Sequence, residues 1–307
     1  MSQATGLFGT ESGGIRRFRL SGPAPRHDIR ITPARGDLAD IRLAGKVFAS
    51  SYVAAIPYHC VAALTTLHRA PSDIAEAVSQ LRLGDGFAVL EIAGGWCWGY
   101  CLDDGYCGYV RASSLARDTI AATHRVTARS TLIFAEADFK SPIVMRPAMG
   151  TSLVISEEQG HFSCCGQGYV PTGHIGRIDD SARTGAEAIA DMAERLIGAP
   201  YVWGGRSGDG LDCSGLVQLV LALGGIAAPR DSDQQQEALG IEIDPAMALQ
   251  RNDLVFFPHH VGIMVDAHLL VHANSDAMCV SVEPLDNVVA RLSSRGHEQA
   301  ITARKRL

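Results

Sequence analysis

Cys213 stands where a glycine-rich stretch, Gly204 to Gly210, gives way to a largely apolar run ending at Leu223 and Gly224-Gly225. The run predicts a buried helix that starts at the cysteine. A thiol at a helix N-terminus meets unsatisfied backbone N–H groups and the positive end of the helix dipole. Both favour the nucleophilic thiolate, so Cys213 is expected to alkylate ahead of the other cysteines. A small buried cysteine is the alternative, and this segment alone leaves both open.

A nucleophilic thiol needs a base. His260-Val261-Gly262-Ile263-Met264-Val265 and Leu269-Leu270-Val271-His272-Ala273 read as two strands of a hairpin. A turn centred near Ala267 sets His272 opposite Gly262 and His260 opposite Asn274. The two imidazoles then share a face on a diagonal of roughly 7–8 Å, with no side chain at Gly262 to stand between them. One can take the thiol proton while the other orients it, as in nucleophilic acyl transfer. Two hydrogen-bonded strand histidines without chemistry are the alternative. Alternation turns the neighbouring His259 to the opposite face.

The surrounding pattern sets the elements that hold these groups. Ala186 to Ile197 has helical spacing and is stopped by Gly198 and Pro200. A polar helix is expected around Gln234-Gln235-Gln236, and strands over 254–257, 260–265 and 269–273. Helices followed by an antiparallel sheet give an α+β domain over 182–307. Upstream lie two small all-β segments of short apolar runs and Gly- or Asp-rich turns, over 45–118 and 119–181. In the first, strands are expected at Lys46–Ala49, Gly86–Ile92, Trp96–Cys101 and Cys107–Val110. In the second they are expected at Arg125–Ala128, Ser152–Ile155, His161–Cys165 and Gly168–Val170. Gly105 to Val110 corresponds loosely to Gly166 to Val170, as in a diverged repeat. Residues 1–44 read as an arm lying across another domain, ending in a short helix near Leu38–Leu43.

The chain has 307 residues, long enough for two or three domains. Its 27 basic and 33 acidic residues give a net charge of −6, which excludes a chain-wide basic field for nucleic acid. The C-terminal Arg304-Lys305-Arg306 reads as a frayed, solvated tail. No segment approaches the roughly 20 apolar residues of a membrane-spanning helix. The N-terminus has no basic start followed by an apolar run, so a cytoplasmic location is expected. The eight cysteines are expected to be free thiols. Cys97, Cys101 and Cys107 lack C-x-x-C spacing, so no metal site is expected there.

Five ordered pieces carry a resemblance: Pro200-Tyr201-x-Trp203-Gly204-Gly205, Asp212-Cys213-Ser214-Gly215, Asp253-Leu254-Val255-Phe256-Phe257, His260-Val261-Gly262-Ile263 and Val271-His272-Ala273. Residues 198–275 resemble the NlpC-type family of cell-wall cysteine peptidases. The resemblance implies a papain-like α+β catalytic domain with Cys213 as nucleophile, His260 as base and His272 as orienting residue. It implies no metal and no cofactor. The β segments resemble bacterial SH3-like domains. The layout is similar to that of γ-D-glutamyl-L-diamino acid endopeptidases, which require a free N-terminal L-alanine on small murein peptides. In that subgroup an acid and a tyrosine from the first SH3-like domain bind the substrate amine. Asp85 and Tyr106 are the matches here, with Asp212 a second candidate acid. Asp212, Ser214, Asp231 and Ser232 match residues around the substrate pocket, and the Tyr201 hydroxyl could help hold the oxyanion.

Each of these residues also has a purely structural reading. Asp212 and Ser232 suit helix caps, Tyr106 an ordinary barrel aromatic, and Asp85 a β-turn. Three functional alternatives stand beside muropeptide hydrolysis: an exported hydrolase of intact peptidoglycan, a wall-peptide-binding protein with an inactive catalytic domain, and transamidation on the same triad.

Overall fold

The computed structural model describes residues 27–117, 121–179 and 188–307. The expected domain boundaries near 118 and 181 fall at or beside residues outside that set. Strands β1 (Ile56–Cys60), β2 (Leu64–His68), β3 (Ala77–Arg82), β4 (Gly86–Ala93), β5 (Trp96–Cys101), β6 (Cys107–Arg111) and β7 (Leu115–Ala116) form one antiparallel sheet. Its order is β3-β2-β6-β5-β4-β1-β7. Alternate residues on one face, including Leu67, Leu81, Phe87, Val89 and Val110, bury a common core. Cys97 and Cys101 lie in that core.

Two expectations for this region are corrected. Lys46–Ala49 forms no strand. The chain turns there, and the strand is Ser51–Val53, which pairs in parallel with Leu38–Asp40. Of the short helix expected over 38–43, only Ile41–Leu43 is helical, as one 3-10 turn capped by Asp40. Three apolar residues, Val47 to Ala49, just after Gly45 (φ +79) carry too weak a pattern to separate strand from turn.

The second β segment forms a three-stranded and a five-stranded sheet around Val126, Ile133, Leu153 and Val170. The remaining chain adds α1 (Ile189–Glu194), α2 (Cys213–Leu223), α3 (Ser232–Ala238), strands β8 (Ile241–Glu242), β9 (Leu254–Phe257), β10 (His260–Met264), β11 (Leu269–Asn274) and β12 (Cys279–Pro284), then α4 (Leu285–Ser294) and β13 (Ala303–Arg306). Ala186, the expected start of α1, lies outside the described residues. The sheet order is β8-β13-β9-β10-β11-β12.

Alternation sorts the sheet's two faces. Leu254, Phe256, Val261, Ile263, Val271 and Ala273 pack on α1 and α2. Val255, Phe257, Met264 and Leu270 pack on Leu285 and Val288 of α4. Helix α2 is apolar nearly all round and buried on all sides, as such a helix must be. The C-terminal basic run is not a frayed tail. It is β13, paired between β8 and β9, and Arg306 forks onto the buried Asp253 carboxylate at 2.7 Å.

Candidate active site

Asp212 starts α2. Its backbone is extended (φ −93°, ψ 178°) and its Oδ1 accepts the Gly215 N–H at 2.7 Å. Gly215 is required for the approach of the preceding loop: a Cβ there would stand 2.0 Å from the Gly205 carbonyl oxygen. The Asp212 carboxylate also takes Nη1 and Nη2 of the fully buried Arg230 at 3.0 and 2.5 Å. Arg230 reaches on to Ser214 Oγ at 3.0 Å and to Ser79 Oγ of β3 at 3.2 Å. One guanidinium thus ties the nucleophile's cap to the first SH3 domain.

Cys213 is buried at this helix start. The backbone N–H groups of Val261 and Ser214 favour its charged form, but burial outweighs them and, with the Asp212 charge, pushes the thiol up to about 12. Burial thus works against the helix-dipole effect that was expected to favour the thiolate. Tyr201 packs beside it. Burial first of all, and the Asp212 charge, raise its phenol, which stays protonated as a donor.

The hairpin has the expected register. Ile263 pairs with Val271 and Met264 with Leu270, a centre at 267, which sets Gly262 opposite His272. His260 Nε2 lies 2.8 Å from His272 Nδ1. Gly262 serves a different neighbour from the one expected: a Cβ there would meet the Leu270 side chain at 2.8 Å. Burial, then His272, pushes His260 down to about 3, and burial lowers His272. Burial thus favours the neutral form of His260, as it does that of Cys213. His259 is also corrected. It lies in the tight turn before β10 at φ +58°, where strand alternation does not apply, and it lines the same cavity as Cys213.

That cavity, about 310 Å³, lies between the α+β domain and the seven-stranded β sheet. Cys213, Asp212, Ser214, Asp231 and Ser232 line it from one side, and Tyr106 from the other. Tyr106 Oη donates to Asp231 Oδ2 at 2.9 Å. Asp231, not Ser232, is the cap residue of α3. Its side chain makes no cap bond and faces Tyr106 instead.

Asp85 is not at the cavity. It is buried under β3, where Arg82 binds it through its backbone N–H at 2.9 Å and its Nε at 3.1 Å. Against the burial, Arg82 and Arg206 hold its carboxyl below the ordinary range. Asp212 lines the cavity, but Arg230 occupies its carboxylate. The acid that the SH3 domain brings to the cavity is Glu76, which accepts Trp203 Nε1 at 3.1 Å and pairs with Arg69 at 2.6 Å. Arg30 of the N-terminal arm lines the cavity as well. It donates to Asp231 at 2.8 Å and to Asp233 at 2.9 and 2.7 Å. Sequence reading missed Glu76 and Arg30, because only domain docking brings them here. Arg230 was legible only as the first residue of an Arg230-Asp231-Ser232 signature, with no role of its own.

A buried thiol at a helix start and a hydrogen-bonded pair of strand imidazoles, on an α+β fold, are the groups that nucleophilic acyl transfer uses. Residues 198–295 match the NlpC/P60 family, and residues 67–115 match the bacterial dipeptidyl-peptidase Sh3 domain. The chain thus carries a segment similar to the NlpC/P60 family behind one similar to a bacterial SH3 domain.

It is 29% identical over 148 residues to a γ-D-glutamyl-L-lysine dipeptidyl-peptidase of Bacillus subtilis, covering 44% of this chain and 49% of that protein. It is 37% identical over 100 residues to dipeptidyl-peptidase 6 of Lysinibacillus sphaericus, covering 33% and 36%. The chain thus spans about half or less of these curated relatives' length. The crystal structure of an NlpC/P60 family protein from Bacillus cereus superposes with a TM-score of 0.69 at 19% identity, over 81% of this chain and 99% of that one. That likeness concerns the fold.

Proposed function

We propose that this protein is a cytoplasmic cysteine endopeptidase of muropeptide recycling. It would hydrolyse the γ-D-glutamyl–diamino acid bond of small wall peptides with a free N-terminal L-alanine. The observation that carries the reading is the shared cavity. Its lining brings together the thiol, the Tyr106–Asp231 pair and Glu76. An ammonium leaving water needs a carboxylate partner, and Asp231 and Glu76, held by Arg30 and Arg69, are the carboxylates that could add it to their ion pairs. That selects against mid-chain wall peptide.

In this reading the Cys213 sulfur attacks the γ-glutamyl carbonyl as His260 takes its proton. Backbone N–H groups at the start of α2 and the Tyr201 hydroxyl hold the oxyanion. His260 gives its proton to the departing amine, then deprotonates the water that releases the acyl group.

The test offers L-Ala-γ-D-Glu-diaminopimelate, free and N-acetylated, with products read by mass. Cleavage of the free peptide alone, yielding L-Ala-D-Glu, is expected. Equal cleavage of both would remove the amine gate and point to intact wall, and cleavage of neither would defeat the reading.

A further inference from the structure

We infer that Glu283 is a positioning residue that fixes the tautomers of both histidines and so leaves His260 Nδ1 as the bare, proton-accepting nitrogen. The inference rests on the reading of Cys213 and His260 as nucleophile and base. Glu283 lies on β12, where the register pairs it with Leu270, one diagonal from His272. His272 is buried, with Nδ1 at 2.8 Å from His260 Nε2 and Nε2 at 2.8 Å from Glu283 Oε1. Neither ring nitrogen of His272 is left over for water.

The carboxylate is itself held. Arg291 of α4 donates to Oε2 at 2.9 Å and to Oε1 at 2.6 Å, and Asn274 Nδ2 donates to Oε1 at 3.0 Å. Arg291 first of all keeps the Glu283 carboxyl below its ordinary range, so it is ionised and can only accept.

The hydrogen positions then follow in order. Because Glu283 accepts, His272 Nε2 carries the hydrogen. A neutral His272 therefore has a bare Nδ1, which accepts from His260 Nε2–H. A neutral His260 in turn has a bare Nδ1. When that nitrogen takes the Cys213 proton, the imidazolium donates to His272, backed by the Glu283 charge. Removing Glu283 permits the opposite tautomers, with His272 donating to His260 Nε2 and a hydrogen on His260 Nδ1. Such an imidazole cannot act as the base.

The groups facing His260 are His272, Arg291, Glu283 and Asp276, with Phe257 against its ring. Glu283 raises the two imidazoles and Arg291 lowers them.

The experiment uses the full chain and two variants. In E283Q the acid limb of kcat/KM should move to lower pH, while kcat falls on the order of 10²-fold, the scale of positioned general acid–base catalysis, with KM little changed. In R291M, which leaves the carboxylate in place, the limb should move to higher pH. Long-range ¹H–¹⁵N spectra of the imidazoles should show both rings protonated at Nε2 in the native protein and mixed tautomers in E283Q.

Unmoved limbs, shifts of the same sign in both variants, or tautomers unchanged by E283Q would overturn the inference. The spectra need no turnover. A protein inactive on every peptide would therefore defeat the substrate reading, while the tautomers still decide this one.

Discussion

Tyr106 Oη donates a hydrogen bond to Asp231 Oδ2 at 2.9 Å, across the boundary between the first SH3 domain and the start of α3. The two residues are 125 positions apart, and both line the cavity that Cys213 also lines. Both can face a bound ammonium, one as carboxylate and one as the phenol that orients it. D231N should therefore raise KM for the free-amine peptide about 10- to 100-fold, the worth of a hydrogen bond to a charged group. The free and acetylated peptides should then be cleaved at more similar rates. Steady-state kinetics on both substrates checks this, and unchanged discrimination would remove Asp231 from the amine site.

The nucleophile gives the sharpest outcome. C213A should abolish acyl transfer and leave the fold intact, because alanine fills nearly the same buried volume. Turnover near the native rate in a folded C213A, judged by circular dichroism, would sink the assignment.

Much of this site was legible because its signals are local. The helix start at Cys213 is written in a capping aspartate, a glycine loop and an apolar run. The hairpin register is written in the spacing of two apolar strands, whose centre falls at 267 as expected. Most of the misreadings at the cavity come from docking between distant segments. Asp85 and Glu76 are both acids near turns of the same domain. What distinguishes them is the seating of residues 203–206 on β3, where Trp203 meets Glu76 and the Arg206 N–H meets Gln80 Oε1 at 3.1 Å. His259 was misplaced because a turn residue at positive φ breaks the alternation that governs its neighbours. Glu283 was overlooked because its partner, His272, is on another strand and its clamp, Arg291, on the following helix.

The same docking makes Arg230 a stability element. Its guanidinium is buried between Asp212, Ser214 and Ser79. Removing one partner of a buried ion pair leaves an uncompensated charge and typically costs about 3–5 kcal/mol. R230M should strand the Asp212 carboxylate and lower the denaturant midpoint accordingly. The double variant R230M/D212N should recover part of the loss, since no buried charge is left unpaired. A double variant no more stable than R230M would mean that the pair is not coupled as its geometry indicates.

The last prediction concerns pH. Burial raises the Cys213 thiol and lowers the His260 imidazole, so the two move apart in the direction that favours the neutral pair. A base whose pKa is depressed is already deprotonated at pH values where an ordinary imidazole, near 6.5, is still charged. The acid limb of kcat/KM should therefore lie below pH 6.5, and activity should hold through mildly acidic conditions. The thiol makes the complementary statement. Alkylation of Cys213 by iodoacetamide in the free enzyme should be slow at neutral pH and climb as pH rises, without the low-pH plateau of a preformed thiolate–imidazolium pair. Substrate binding then supplies the oxyanion contacts that make proton transfer from Cys213 to His260 favourable at the moment of attack. A fast alkylation plateau reaching down to pH 5, or an acid limb above pH 7, would show that the resting pair is already ionised and that burial does not dominate this site.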